Sequence, residues 1–555
     1  MATKASAAHP APSQHNHVCT HGTPPRGQSW VQHSPLDGIS YPREMQSMQG
    51  IAPLQGRFGR MFPNMRGAQF GKTEPETLKN LETLGALMSA APDKPTDDPD
   101  PEESGIPALY TYFGQFIDHD LTFDPNSSLQ KQNDPYALVD YRTPAFDLDN
   151  IYGRGPSDQP YLYKGSHADG PLRYFMLGTP LTGGDPGAFD LARNSAHPAR
   201  ALIGDPRNDE NVIVSQLQGL FLRFHNRTMQ KHSHESFEDV QQRVRLHYQF
   251  LVLQDFLPQI VHPKVLDELT SGSDSNVRHY ERSKLKFFDG SSRYIPVEFS
   301  LAAYRMGHSM VRPGYRLNDN DETRLPIFSV SGKDLRGFQS MPANFGIDWA
   351  RFINTELRPY DGSATARKQR LQFAYKIDTS LVNPLSNLPL IVASGPIRSL
   401  AQRNLVRGFQ FGLPSGQNVA RAMGVKPLDD KEIWIGQAVA GAKHVSILDA
   451  LTRDKNGGKA VAKHFEGNCP LWTYILAEAM HHQENVPIPV KGKPATRETP
   501  KLGPVGGRIV AEVFLGLMFG DPHSMLSLQP NWHPERGSDY RLKDFVEFAL
   551  QDGRS

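Results

Sequence analysis

The strongest constraint on the fold of this 555-residue chain is the segment Gly114 to Asp120, which places an amide, an imidazole and two carboxylates inside an apolar run. Read as a helix, the segment brings Gln115 and His119 onto one face, one turn apart. Asp118 and Asp120 then lie about 100° to either side of that histidine. Burying these charges is costly unless each has a partner. Taken alone, a histidine between two aspartates is more often a solvated or capping cluster, so a functional interpretation needs partners elsewhere in the chain.

Composition excludes several classes of protein. Lys and Arg total 60 and Asp and Glu total 59, which leaves a formal charge of +1 and no basic excess for nucleic acid. The longest apolar run, from Ile509 to Phe519, contains Glu512 and is too short to span a bilayer. The chain begins without an apolar signal-peptide core, and its two cysteines, Cys19 and Cys469, provide no disulfide framework. We therefore expect a soluble globular protein without a transmembrane segment.

The pattern along the chain favours one large helical domain after a leader. Residues 1–50 mix His, Pro, Gly, Ser and Gln with few large apolar side chains, which predicts a flexible leader, and residues 51–555 then form the catalytic domain. Strand signals are few and short, and the glycine and proline content favours long loops. Four segments have the apolar periodicity of core helices: Asn211 to Lys231, Leu246 to Ile260, Ile397 to Phe411, and Ile509 to Phe519. The predicted fold class is mainly α.

A second polar segment, Thr143 to Gly153, has oxygen-bearing side chains at alternating positions. A loop with that period can turn Thr143, Asp147 and Asp149 inward, with the backbone carbonyl of Ala145 between them. Hard oxygen donors in that number suit Ca²⁺, which takes 6–8 ligands in irregular geometry. The segment is not an EF-hand, because the glycine required at the sixth position is absent. An Asp-rich turn without a metal is the alternative.

Residues 114–120 resemble the distal-histidine motif of the animal-type haem peroxidases, the peroxidase–cyclooxygenase superfamily. The likeness extends, with gaps, from about Asn80 to about Gly520. It implies a large single-domain helical haem peroxidase fold with few short strands. It also implies that His119 is the distal acid and base, and that Gln115 holds the distal water and helps to seat a halide. The lack of the family's disulfides agrees with a bacterial-type or intracellular member.

The resemblance assigns further residues on the distal side. Arg207 matches the arginine that completes the distal pocket. Asp118 and Glu210 match the two carboxylates that esterify the haem in mammalian members. Asp120 matches the aspartate that completes a calcium site together with the loop after residue 143. Asn211 stands where the myeloid enzyme has the methionine of a third haem link, so no such link and a weaker halide-oxidising power are expected.

The proximal side is implied by the segment Tyr304 to Met310, which is similar to the family's Arg-x-Gly-His motif. His308 is then the axial iron ligand, with Arg305 three residues before it. An axial imidazole needs an acceptor on its other nitrogen, and Asn404 is the candidate. Arg407 is expected to bind a haem propionate or to be structural. The dioxygenase branches carry a tyrosine at the position of Arg305, and Tyr304 is one place too early.

The resemblance thus implies a haem b peroxidase with a ferryl intermediate, which reduces hydrogen peroxide and oxidises small phenolic or aromatic donors. Halides and thiocyanate are further candidate donors, and a role in the response to oxidative stress is implied. Two alternatives stay open: a fatty-acid dioxygenase of the same superfamily, and a catalytically inactive adhesion or interaction protein. The joint presence of His119, Arg207 and His308 opposes the second alternative. The oligomeric state is not predicted.

Overall fold

The computed structural model describes residues 58–551, except 93–95, 123–142, 166–171, 275–276, 330, 361–367, 391, 394, 440, 442 and 491–494. The leader predicted for residues 1–50 lies outside the described residues, so it stays a prediction, as does the domain boundary after it.

Helices dominate the described part of the chain. Those of seven residues or more are α1 (Glu74–Leu87), α2 (Leu109–Leu121), α3 (Val212–Lys231), α4 (Phe237–Leu251), α5 (Leu400–Gln410), α6 (Gly416–Ala422), α7 (Ile447–Arg453), α8 (Leu471–Ala479), α9 (Pro504–Gly520) and α10 (Leu542–Leu550). Shorter α-helices are Asp149–Tyr152, Leu257–Ile260, Pro263–Asp267, Val297–Ser300, Asn383–Ser386, Lys459–Ala462 and Met525–Leu528. A π-helical turn spans Val252–Phe256. Turns of 3₁₀ helix are Pro160–Leu162, Pro206–Asp209, Arg282–Lys284, Ala303–His308, Asp321–Thr323, Trp349–Arg351 and Lys463–Phe465.

Strands are short and form two-stranded pairs within the described residues. The antiparallel pairs are Glu103–Pro107 with Phe373–Tyr375, Thr270–Asp274 with Val277–Tyr280, Gly314–Arg316 with Arg324–Pro326, Trp434–Ile435 with Val445–Ser446, and Gln483–Ile488 with Ala495–Pro500. Phe58–Gly59 pairs with Ile295–Pro296 in parallel. The mainly α fold with few short strands is therefore confirmed.

The predicted helices are present with shifted ends. The segment from Asn211 forms α3, whose first turn is capped by the Asn211 side chain. The segment from Ile509 forms α9, which begins five residues earlier, at Pro504. The segment predicted from Leu246 to Ile260 is not one α-helix, because the π-helical turn interrupts it. Among the described helices, none combines the length and the apolar composition needed to cross a bilayer.

Helix α2 lies inside the core. Its Phe113 and Phe116 are fully buried, and the Phe116 ring stacks on Phe221 of α3 with centroids 4.3 Å apart. Phe256 of the π-helical turn contacts Phe113 edge to face at 5.6 Å. Gly114 permits this approach, because a Cβ there would lie 3.1 Å from the Phe256 ring. Packing from several sides thus holds α2, and with it the predicted distal residues, in one position.

Candidate active site

A cavity of about 740 Å³ receives both predicted histidines, His119 from α2 and His308 from the turn Ala303–His308. This volume is within the usual range for sites that bind small molecules and cofactors. Exposed Pro198 and Arg200 also line the cavity, so it opens to solvent there. The fold therefore brings together two imidazoles that lie far apart in the sequence.

The His119 ring is oriented by a residue that the sequence interpretation did not identify. Its Nδ1 atom lies 2.7 Å from Oδ1 of Asn208, and the Asn208 amide donates to Oε1 of Gln218 at 2.7 Å. In this orientation Asn208 accepts the Nδ1 proton, so Nε2 is the unprotonated nitrogen. Nε2 lies 4.0 Å from Oε1 of Glu210, which also lines the cavity. His119 therefore presents a base to the cavity.

Gln115 lies one turn before His119, as expected, and its amide is engaged on both sides. The nitrogen donates to Oε1 of Glu210, and the oxygen accepts from the Asn211 side chain at 3.2 Å. Asn211 also accepts from two backbone amides in the first turn of α3. Gln115 thus joins α2 to the start of α3 within the cavity wall.

Arg207 lines the cavity and is held by a buried acid. Its guanidinium forms an ion pair with Asp205 at 2.8 Å and donates to the backbone oxygens of His119 and Thr122. Asp205 is fully buried and also accepts from the Arg207 backbone amide at 2.8 Å. Because Asp205 directs the guanidinium to the end of α2, the arginine and the distal histidine keep a fixed relation.

The two carboxyl groups predicted to bond the haem both face the cavity. Burial raises the pKa of Asp118, while the charges of Arg207 and Arg305 oppose this rise. Burial also raises the pKa of Glu210 to about 7. Ionising two buried carboxyl groups in one cavity is energetically costly. A proton or a covalent bond that neutralises either group is therefore favoured.

On the proximal side, His308 contacts the predicted asparagine. The Asn404 amide nitrogen lies 2.9 Å from Nδ1 of His308, and Arg305 donates to the Asn404 oxygen at 2.6 Å. An accepting role for Asn404 toward His308 requires the opposite orientation of its amide, so that role stays a prediction. Burial, followed by the charge of Arg305, lowers the pKa of His308 to about 3. Its imidazole is therefore neutral, which is the form that binds metals.

A pair of arginines lies in the same wall. Arg403 and Arg407 of α5 both line the cavity, and Arg407 is buried. Burial lowers the pKa of Arg403, and the charge of Arg407 lowers it further. Two neighbouring cations in a cavity wall favour an anionic ligand between them. The sequence interpretation identified Arg407 and missed Arg403, although the two are four residues apart on one helix.

These features fit a haem. The cavity wall contains a neutral imidazole, a second imidazole that presents a base, and a pair of guanidinium groups suited to two propionates. We therefore regard His308, Arg403 and Arg407 as the residues that would hold it.

The predicted calcium residues also meet. Ligand oxygens of Asp120, Asp147 and Asp149 lie within 4.8 Å of one another, and Asp120 is fully buried. Burial and the charge of Asp149 raise the pKa of Asp147. The Thr143 hydroxyl donates to Asp147 at 3.1 Å, and the amide of Ala145 bonds to the Thr143 carbonyl. A hard divalent cation would remove the repulsion among these carboxylates, so the donor set fits Ca²⁺.

Known proteins are similar to this chain in sequence or in fold. A family model described as animal haem peroxidase matches residues 128–436. Thyroid peroxidase of Rattus norvegicus is 24% identical over 310 residues, which cover 52% of this chain and 31% of that protein. Peroxinectin A of Dictyostelium discoideum is 22% identical over 277 residues, covering 49% and 47%. The chain thus spans between about a third and a half of these relatives. The structure of peroxidase A from Dictyostelium discoideum aligns with a TM-score of 0.51 and 14% identity over 90% of this chain and 94% of that chain.

The structural likeness shows a shared fold, and the family model carries the assignment further. Its match starts after the distal-histidine segment and includes Arg207, His308 and Asn404. The matched range covers more than half of the 555 residues. A match of that extent shows that this chain belongs to the animal haem peroxidase family.

Proposed function

We propose that this chain is a haem b peroxidase that reduces hydrogen peroxide to water and oxidises small phenolic or aromatic donors, halides or thiocyanate. The observation that carries the proposal is the orientation of His119, whose Nε2 faces the cavity that His308 also lines. A base and a neutral imidazole in the wall of one cavity are the two groups that peroxide cleavage on a haem requires.

The distal residues His119, Arg207 and Asn208 have different roles in the proposed reaction. When bound, the haem supplies the iron and the redox equivalents for oxidising the donor. His119 Nε2 takes a proton from peroxide and returns it to the departing oxygen, so that water leaves. Arg207 stabilises the negative charge that develops as the O–O bond breaks. Asn208 keeps the histidine in the tautomer that can accept this proton.

The charge of the cavity wall supports anionic donors. Six arginines and two carboxyl groups line it: Arg200, Arg207, Arg305, Arg336, Arg403, Arg407, Asp118 and Glu210. Two propionates would neutralise two of these cations. Arg336 is paired with Asp334 at 2.9 Å and Arg207 with Asp205, so the exposed Arg200 is the cation that gives the mouth a positive potential. Such a potential raises the local concentration of halides, thiocyanate and aromatic carboxylates.

Covalent attachment of the haem through Asp118 and Glu210 is part of the proposal. Both carboxyl groups line the cavity, and their raised pKa values favour loss of charge. Each ester forms from one carboxyl group, one haem methyl group and one hydrogen peroxide, and two water molecules leave. The methyl carbon loses two electrons, which reduce the peroxide. Haem that resists acid extraction only after peroxide treatment is the expected result.

We further propose that Asp120, Asp147 and Asp149 bind Ca²⁺ with oxygens from Thr143 and Ala145. The meeting of three carboxylates at one point supports this site. Since Asp120 follows His119 directly, the cation would fix the end of α2 that carries the distal base.

The decisive experiment is a steady-state assay of the haem-loaded protein with bromide, iodide, thiocyanate and a phenol. His119→Ala is expected to lower peroxide turnover by at least about 10²-fold while the haem remains bound. His523→Ala, at an exposed position, is the matched control and should retain activity. Near-normal turnover in His119→Ala would exclude His119 as the acid and base. A protein that takes up no haem would instead support an interaction protein.

A further inference from the structure

Three tyrosines line the cavity, and they differ in what their hydroxyl groups contact. Tyr110 lies between 2.8 and 2.9 Å from both carboxylate oxygens of Asp255. The Tyr304 hydroxyl donates to the backbone oxygen of Gly114 at 3.1 Å. Tyr112 bonds to the hydroxyl of another tyrosine, Tyr315. Carbonyl and phenol oxygens are poor bases, so only the Tyr110 phenol among these three has a partner that can accept its proton.

Asp255 is placed for this contact by an irregular helix. It lies in the π-helical turn Val252–Phe256, which packs against α2. Such turns are rare and occur often at functional sites. The carboxylate also accepts from the backbone amide of Leu542, at 2.7 Å at the start of α10, and from the Gln259 side chain. Asp255 is buried, so water does not solvate the negative charge of its carboxylate.

Proton affinities support a coupled step at this pair. Burial, together with the charge of Asp255, raises the pKa of Tyr110 well above its usual value, so the phenolate does not form beforehand. Burial raises the pKa of Asp255, which makes its carboxylate a stronger base than one in water. A phenol that loses an electron becomes very acidic and releases its proton to the nearest base. The hydrogen-bonded carboxylate is that base.

We infer that Tyr110 is a redox-active residue of the cavity, with Asp255 as its proton acceptor. This inference rests on the proposed function, because the oxidant is the haem after its reaction with peroxide. Tyr110 gives one electron to the oxidised haem, its O–H bond breaks, and the proton passes to a carboxylate oxygen of Asp255. The tyrosine is oxidised by one electron and the haem is reduced by one. The products are a neutral tyrosyl radical and an aspartic acid.

The position of Tyr110 in the cavity wall would allow its radical to oxidise donors. Tyr110 lies nine residues before His119 on α2, which is about 14 Å along the helix axis. It therefore borders the same cavity at a distance from the distal base. A donor that reaches this part of the cavity can return one electron to Tyr110, with the proton going back from Asp255 in the same step. Donors that do not reach the distal histidine thereby gain a second site of one-electron oxidation.

The test is freeze-quench electron paramagnetic resonance of the haem-loaded protein mixed with hydrogen peroxide. The expected result is a radical signal that narrows when the protein carries ring-deuterated tyrosine. Tyr110→Phe should lack this signal, whereas Tyr304→Phe, at another buried tyrosine of the cavity wall, should retain it. Asp255→Asn should lower the rate of radical formation at least about tenfold, because the amide is not a base. Thermal unfolding of each variant checks that it is folded.

Two outcomes separate this inference from the proposed function. Peroxide turnover without a tyrosyl signal, or with a signal that persists in Tyr110→Phe, overturns the inference and leaves the peroxidase proposal standing. If peroxide does not react with the haem-loaded protein, zinc protoporphyrin takes the place of haem and is photo-oxidised with a soluble electron acceptor. Transient absorption of a tyrosyl radical that requires Tyr110 and Asp255 then supports the inference, and its absence overturns it.

Discussion

Among single residues, Asn208 has a larger role than its place beside Arg207 indicates. It accepts from His119 and donates to Gln218, so it connects α2 with α3 and sets the histidine tautomer. We predict that Asn208→Leu lowers the rate constant for reaction with peroxide at least about tenfold, because an orienting partner that fixes the tautomer is lost. Stopped-flow absorbance measures this constant, and the Soret band should show that haem binding is unchanged.

A buried asparagine outside the cavity wall provides the matched control. Asn318 is fully buried and donates to the backbone oxygens of Asn344 and Gly346. Asn318→Leu should lower stability without changing the peroxide rate constant. If both variants slowed the reaction equally, a general loss of structure would explain the effect and the orienting role of Asn208 would be rejected.

A second residue-level prediction concerns acid stability. His225 is fully buried, accepts from the Tyr152 hydroxyl and donates to the Arg173 carbonyl. Burial lowers the pKa of His225 from 6.5 to about 4. Because the folded-state pKa is lowered, the contribution to stability is complete above pH 6.5 and is lost as the pH falls toward 4. One proton corresponds to about 1.4 kcal/mol per pH unit, so about 3 kcal/mol is lost over that range.

The replacement His225→Gln isolates this titration. Glutamine keeps a donor and an acceptor but does not take up a proton in this range. The free energy of unfolding in urea should therefore depend less on pH in the variant than in the wild type between pH 6.5 and 4. Equal pH dependence in both proteins would show that His225 does not titrate on unfolding as expected.

The site residues that sequence interpretation missed share one physical feature. Asn208 contacts a histidine 89 positions away, and Asp205 is recognisable only once Arg207 is seen to point back toward α2. Neither contact follows from the spacing of residues along one helix. By contrast, Gln115 and His119 share a helical face by spacing alone, and the family motif indicated His308. Local periodicity and a motif therefore identify groups that face a site, whereas their partners depend on the packing of distant elements.

At the scale of elements, α9 depends on one buried acid. Glu512 interrupts the longest apolar run of the sequence, and the structure gives it three backbone amides to accept from, those of Lys286, Phe287 and Phe288. Arg508, one turn earlier, donates to the same carboxylate at 2.8 Å. The Glu512 carboxylate thus holds the loop 286–288 against α9 by hydrogen bonds.

We predict that Glu512→Ala lowers the free energy of unfolding by about 3–5 kcal/mol, because it leaves three buried amides without their acceptor and removes the buried one of the two carboxylates paired with Arg508. Glu512→Gln keeps one accepting oxygen and should cost less. Urea unfolding of the haem-loaded variants measures both. A loss below about 0.5 kcal/mol for Glu512→Ala, typical of a surface position, would contradict the prediction.

Element type was more predictable than element continuity. The apolar stripe from Asn211 to Lys231 correctly indicated α3, because a long amphipathic pattern has few alternatives. The pattern from Leu246 to Ile260 did not reveal the π-helical turn, whose residues are all buried. A segment that is buried on every side has no alternation of buried and exposed faces, so the periodicity of its sequence does not indicate a local change in helix geometry. That change depends on packing against α2.

At the scale of the whole molecule, one large cluster of buried apolar side chains runs from Phe58 to Ala549 in the described residues, beside a small cluster of Tyr360, Leu371 and Phe373. This agrees with a single large core, which the length alone left undecided. Periodicity predicts where helices occur, but with few strands and long loops it does not determine how the helices are arranged. The arrangement was indicated by the resemblance to known peroxidases. Sequence pattern thus predicted the class, and the family motif predicted the arrangement.

The proposed calcium site would connect three parts of this core. Asp120 lies in the last turn of α2, Asp147 lies in the loop before the short helix Asp149–Tyr152, and Asp149 begins that helix. Gln249 of α4 donates to the backbone oxygen of Phe146 in the same loop. A ligand that binds only the folded state stabilises it by about 2.7 kcal/mol at a hundred times its dissociation constant. We therefore predict that a calcium chelator lowers the melting temperature of the protein, and that added calcium restores it.

Loss of the cation should also change the environment of the haem, because Asp120 follows His119 on the same helical turn. We expect the Soret band to change on chelation together with the melting temperature. In Asp149→Asn the chelator should have little further effect, since the site has already lost a charged ligand. Asp158→Asn, at an exposed position of the next turn, should respond like the wild type. If the chelator lowered the melting temperature of Asp149→Asn as much as that of the wild type, the stabilising cation would have to bind elsewhere in the chain.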